Sequence, residues 1–152
     1  MLIRFESKLG KNDFPILSLL KSYKINYMEN GVFPNLDETF EKALFNTFRC
    51  YVPQSHYPVK YTKHTDPRGS FVEIARTQTS GQFSFSTTVP GITRGNHFHT
   101  RKAERFAVIK GKAKISLRKT GTDEVIDYII DGDSPAYVDM PIWYTHNITN
   151  IG

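Results

Sequence analysis

Apolar positions divide the chain into two textures. In Phe14-Pro-Ile-Leu-Ser-Leu-Leu-Lys-Ser-Tyr23 they recur at three- and four-residue spacing. Asp13 stands where an N-cap belongs and Pro15 falls in the first turn, so the pattern predicts a helix. Asn30-Gly31 marks a turn. A second helix is expected from a cap at Asp37 through Phe40, Leu44 and Phe48, ending before Pro53. From Tyr57 onward the pattern shortens. Phe71–Ala75, Gln82–Val89, Arg105–Ile109, Ala113–Arg118 and Glu124–Ile130 are rich in β-formers. Gly81, Gly91, Gly95, Gly111, Gly121 and Gly132 fall in or near the gaps. Closely spaced strands with glycine turns predict a mainly β protein, an antiparallel sandwich or small barrel, behind a short helical N-terminal segment.

Length fits this picture, since 152 residues suit one domain with a modest core. No apolar run is long enough to cross a bilayer, so no membrane partner is expected. The N-terminal stretch lacks the apolar core and cleavage site of a secretory signal, and a single cysteine, Cys50, cannot form an internal disulfide. A cytoplasmic setting is the expectation. The net charge of +5 suits an anionic partner. The basic residues are scattered, however, and follow no DNA-reading helix or stacking motif, so a nucleic-acid role is not expected.

The chemistry gathers in two segments. His97 and His99 are two apart, so on a strand they project from one face. Glu104 follows after room for a turn and the start of the next strand, and His146 lies on a later strand. Two imidazoles, a carboxylate and a distant third imidazole make a donor set for a borderline metal ion. Gly95 permits a bend just before the first pair.

These residues also carry a resemblance. Gly91, His97, His99, Glu104 and Gly111 match the cupin motif G-x5-H-x-H-x4-E-x6-G at every fixed position. Pro141, His146 and Asn150 resemble the second cupin motif, which this chain leaves at Trp143, where glycine is usual, and at Gly132, three positions early. The resemblance implies a cupin fold, a double-stranded jelly-roll barrel, with a metal held by His97, His99, Glu104 and His146.

Flanking residues narrow the likeness. Asp66-Pro-Arg68-Gly69-Ser-Phe71-Val-Glu73, Ser84-Phe-Ser86 and Arg94-Gly95-Asn-His97 resemble segments of dTDP-4-keto-6-deoxyhexose 3,5-epimerases. In those enzymes two arginines bind the sugar-nucleotide diphosphate, which implies that role for Arg68 and Arg94. A planar guanidinium fork suits phosphate oxygens, while a surface ion pair is the alternative for Arg68. Glu73 is a candidate for orienting an arginine or contacting substrate, or else for an ion pair at the core edge.

Most of the chain is similar to the C-terminal cupin domain of bifunctional capsular-polysaccharide enzymes making UDP-N-acetyl-L-fucosamine precursors. Leu44–Pro53 resembles the joint from their reductase domain, and Tyr144–Asn150 resembles their second motif. The likeness implies zinc as cofactor, with iron or another divalent metal as alternatives. It implies a UDP-sugar substrate and C3-epimerisation of a UDP-4-keto-6-deoxy-N-acetylhexosamine. With no glycine-rich dinucleotide loop and no Tyr-x-x-x-Lys pair, no NAD(P) is expected in these residues. Residues 1–52 resemble the tail of a reductase domain and 53–152 the cupin, which stops soon after its second motif where the family continues. Relatives are commonly dimeric, and a homodimer covering that edge is expected.

The implied reaction removes a C3 proton acidified by the C4 ketone and returns one from the other face. Tyr144, two residues from His146 and on the same inward face, is the candidate acid, with aromatic packing as the alternative. Lys102 and a zinc-bound hydroxide are candidates for the base. Three other functions share these ligands: an iron cupin dioxygenase, a 3,4-ketoisomerase, and a non-catalytic sugar-nucleotide-binding module.

Overall fold

The computed structural model describes residues 15–152, so the expected N-cap Asp13 and the helix start at Phe14 lie outside the described residues. The described residues form two compact units: one comprises residues 15–62 with Glu73–Ser84, the other Lys63–Val72 with Phe85–Gly152.

In the first unit the expected helix appears as α1 (Pro15–Ser22), continued by a π-helical stretch at Tyr23–Glu29. The stretch ends at Asn30, followed by Gly31 in the left-handed region (φ 67°), as the Asn-Gly signal predicts. A short strand β1 (Val32–Phe33) precedes α2 (Thr39–Cys50). Glu38, not Asp37, occupies the N-cap of α2, and it makes no side-chain capping bond. Asp37 instead donates its backbone N–H to Asn35 Oδ1, forming an Asx-type turn ahead of the helix. Tyr23 and Phe45 are buried here, their rings edge to face at 5.2 Å. This segment also supplies a strand: β1 pairs in parallel with the second half of β3 (Gly69–Thr77), Val32 opposite Arg76. The strand β4 (Gln82–Thr88) pairs with β3 in turn.

The second unit is antiparallel. β2 (Lys63–Asp66) forms a hairpin with the first half of β3. β5 (Thr93–His97), β7 (Lys112–Lys119), β8 (Val125–Asp131) and β10 (Tyr144–Asn150) make a sheet in the order β5-β10-β7-β8. β6 (Glu104–Val108) and β9 (Ala136–Met140) make a second, two-stranded sheet. The strands expected near Arg105, Ala113 and Glu124 are therefore present, with bounds shifted by a residue or two.

Alternation along β7 explains the core. Ala113, Ile115 and Leu117 are buried while their neighbours face outward. They meet Ile130 of β8 and, from the two-stranded sheet, Val108 and Met140. Across the β7–β10 ladder, Leu117 lies opposite His146 and Ile115 opposite Ile148. The apolar face of the sheet thus runs directly into the histidine. Ile115 is fully buried. Shortening it with Ile115→Ala should cost about 2–5 kcal/mol of stability. Urea unfolding should show a lower midpoint with an unchanged slope.

Candidate metal centre

His146 is the one buried polar residue among the described residues, at 1% exposure. Its place on β10 puts it opposite both Leu117 on one side and His97 on the other. Phe106 of β6 presents its ring edge-on at 5.5 Å. Burial of a polar ring in such a setting is costly unless its nitrogens are satisfied. One is: Nδ1 lies 3.1 Å from the Tyr144 carbonyl, which can only accept, so Nδ1 carries the proton. Nε2 is left as a lone pair aimed at the other donors.

His97 reaches the same face through an irregularity. The β5–β10 register runs Thr93–Thr149, Arg94–Ile148, Gly95–Asn147 and then His97–His146, so Asn96 is the extra residue of a bulge. Gly95 and Asn96 both take positive φ, 105° and 66°. A Cβ at Gly95 would sit 2.8 Å from the His146 carbonyl oxygen and 2.9 Å from Asn147 Cα, so only glycine allows this approach. His99 lies beyond the end of β5 rather than on it, so strand alternation does not account for its direction. Glu104 opens β6 as expected.

The four side chains nevertheless meet. One donor atom from each of His97, His99, Glu104 and His146 lies within 4.8 Å of all the others. Glu104 Oε2 is 2.9 Å from His146 Nε2 and 3.2 Å from His99 Nε2. These three buried atoms have no hydrogen-bond partner. Donors at about 2.0–2.1 Å from one ion lie about 3 Å apart, which is the spacing seen. A carboxylate oxygen facing imidazole lone pairs is repulsive without a cation between them. The donor set therefore fits a divalent ion, and three imidazoles with one carboxylate suit zinc, iron, copper or nickel.

The carboxylate is prepared for such a role. Burial by itself would raise the Glu104 pKa, but the Lys102 ammonium, donating to Oε1 at 2.6 Å, pulls it the other way and prevails. The carboxyl stays below its usual range and ionised. Lys102 is thus paired at the rim of the donor cluster, its side chain half exposed. Tyr144 packs against the core beside the cluster.

The arginines occupy a neighbouring surface. Because of the bulge, Arg94 pairs with Ile148 and shares the face of His97, although residues three apart on a regular strand point to opposite faces. Its guanidinium donates to the Thr87 carbonyl at 3.1 Å. Arg68, in the turn between β2 and β3, grips Asp66 through Nε at 3.0 Å and Nη2 at 2.6 Å. That pairing holds the Asp66 carboxyl below its usual range, with a smaller contribution from Arg94. Both arginines therefore act on one carboxylate. Glu73 belongs to the other unit, where it binds Arg76 through two bonds of 2.8 Å and accepts a bond from Gln82.

Sequence reasoning left Trp143 as a departure from the motif and did not assign it a conformation. Its φ is 64°, in the left-handed region where glycine is at ease and a bulky residue costs about 1–3 kcal/mol. The signal was the glycine usual at this place.

Known proteins agree with this geometry. Residues 64–152 match the family described as the polysaccharide biosynthesis C-terminal domain. The chain belongs to that family. The UDP-2-acetamido-2,6-beta-L-arabino-hexul-4-ose reductase of Pseudomonas aeruginosa is 40% identical over 111 residues, which cover 73% of this chain and 30% of that protein. The spore coat polysaccharide biosynthesis protein SpsL of Bacillus subtilis is 27% identical over 103 residues, covering 61% of this chain and 68% of that protein. The crystal structure of the capsular polysaccharide assembling protein CapF from Staphylococcus aureus superposes with a TM-score of 0.82 at 41% identity. It covers 90% of this chain and 37% of CapF. The chain thus spans about a third of the length of the reductase and of CapF. With CapF as neighbour and sheets of this order, the fold is the cupin jelly roll that the histidine motif implied.

Gly95→Ala should separate His97 from His146 without removing a donor. Cobalt affinity, read by competition with a chromophoric chelator, is expected to fall about 10- to 100-fold.

Proposed function

We propose that this chain is a metal-dependent epimerase acting at C3 of a UDP-4-keto-6-deoxy-N-acetylhexosamine, in the making of capsular or surface polysaccharide precursors. One observation carries the reading: four metal-type donors converge in a chain about 40% identical to proteins of capsule and sugar-nucleotide chemistry. The Pseudomonas relative is named for reduction of a UDP-linked 4-ketosugar. These 152 residues hold no glycine-rich dinucleotide loop and no Tyr-x-x-x-Lys pair, so that reduction is not assigned to them. An isomerising step on the same class of ketosugar needs neither.

Zinc is the metal of this reading, held by His97, His99, Glu104 and His146. When bound, it supplies Lewis acidity that stabilises negative charge developing on the C4 oxygen. The protein's own groups do the rest. Arg68 and Arg94 receive the diphosphate, Arg68 exchanging its bond to Asp66 for phosphate oxygens. Buried His146 and half-buried Phe106 beside the donors limit water on that side of the site. Inversion at C3 requires one group on each face of the ring. Tyr144 is the proposed proton donor, and Lys102, at the cluster's rim, the proposed base on the other side, which must first pass its own proton to solvent to accept the one from C3. Association of two copies into a dimer is part of the same proposal.

The test is solvent exchange. With zinc-loaded protein in deuterated water, the C3 hydrogen of a UDP-4-keto-6-deoxy-N-acetylhexosamine should be replaced by deuterium, followed by NMR. His146→Ala should lower the rate by about 100-fold or more, and Arg94→Ala should act mainly on KM. Binding of the UDP-sugar with no exchange would instead identify a non-catalytic binding module. Oxygen consumption by the iron-loaded protein would identify a dioxygenase.

A further inference from the structure

Trp143 keeps an unfavourable backbone conformation, and its contacts show what that conformation achieves. Its N–H donates to the His99 carbonyl at 3.1 Å. Its own carbonyl accepts from Thr120 twice, from the backbone N–H at 2.8 Å and from Oγ1 at 2.6 Å. The indole stacks on Phe98, with centroids 5.8 Å apart and planes 26° from parallel. Phe98 stands between the donors His97 and His99, and Trp143 stands three residues before the donor His146. The β5–β10 ladder ends at the His97–His146 pair. His99 is therefore positioned by contacts beyond the ladder, and the Trp143 N–H is one of them.

The contacts of this pair run to one another and to the backbone. Phe98 lies just past the end of β5 and Trp143 just before the start of β10, so neither is a rung of the ladder. Both rings are about half exposed, at 44% and 52%.

We infer that Phe98 and Trp143 form a clasp that holds His99 at its working distance from His146. Both are positioning residues, acting through the backbone that carries the donors. The left-handed backbone at Trp143 turns its N–H onto the His99 carbonyl and its ring onto Phe98 at the same time, and Thr120 anchors the third side. The metal-related part of this inference rests on the proposed metal site.

Four variants test it: Trp143→Gly, Phe98→Ala, the double variant of these two, and the conservative Phe98→Tyr. Zinc-loaded proteins are mixed with excess chromophoric chelator and the release rate is followed. Release should be about tenfold faster for Trp143→Gly and for Phe98→Ala. The double variant should be no faster than either, and Phe98→Tyr should match the parent. Trp143→Gly relieves the left-handed strain, so its metal-free melting temperature should be at least that of the parent, which separates faster release from general loosening. Unchanged release in both single variants would overturn the clasp. Amide hydrogen exchange over residues 98–103 of the metal-free protein gives a readout independent of zinc. Exchange there should rise in both single variants, and unchanged exchange would overturn the clasp by itself. Should the parent take up no zinc while exchange rises as expected, the metal reading fails and the clasp stands.

Discussion

The pairing of β5 with β10, interrupted by one extra residue, sets the distances on which the centre depends. Regular antiparallel pairing would place Arg94 and His97 on opposite faces, and either the arginine or the histidine would point away from the core side. The bulge at Asn96 absorbs one residue and brings both to the same face. It works because Gly95 passes within van der Waals distance of the β10 backbone and because Asn96 tolerates positive φ. His146, held on its other side by the β7 ladder, then has a fixed partner across the strand. The donor cluster is thus anchored to the same sheet that buries Ile115 and Leu117. Stability of the core and geometry of the site are one constraint.

The cluster itself is a buried polar group without a polar solution inside the protein. Burying an imidazole and a carboxylate among Phe106, Met140 and Leu117 costs free energy unless every lone pair finds a proton or a cation. The Tyr144 carbonyl satisfies one nitrogen of His146, and Lys102 satisfies one oxygen of Glu104. The atoms still lacking a hydrogen bond are the ones that converge, Nε2 of His99, Nε2 of His146 and Oε2 of Glu104. Unsatisfied atoms gathered at one point, rather than spread through the core, indicate a ligand. Metal binding and folding are expected to be coupled for that reason.

The two arginines follow a different logic. Arg68 and Arg94 are attached to separate segments, the β2–β3 turn and β5, and both are tied to the end of β4. Arg94 reaches the Thr87 carbonyl, while the carbonyl of Arg68 accepts from Val89. Asp66 lies under the influence of both guanidiniums. An exposed pairing of this kind is weak in water, so under the proposed function it would give way to phosphate oxygens. Glu73, read from the same linear segment as Arg68, is engaged by Arg76 and Gln82 in the other unit.

Residue order alone determined the donor set, because His97, His99 and Glu104 with His146 have a spacing that few sheets would bring about by chance. Periodicity determined the short strands and the helices before them, since alternation and three-to-four spacing are local properties. The turn at Asn30-Gly31 was equally legible. Other features depended on contacts between distant segments. Two-residue strands such as β1 are too short to show a period, and they exist only because β3 offers a partner. The N-cap of α2 fell to Glu38, while Asp37 was drawn into a turn in which its N–H donates to Asn35. The shared face of Arg94 and His97 required a bulge, which depends on how closely β10 approaches Gly95. The conformation of Trp143 required Phe98, His99 and Thr120 around it. A linear pattern records which residues are available and which way a regular element would turn them. Where an element is irregular, direction is decided by the neighbour across the sheet, and that neighbour is known only once the chain has folded.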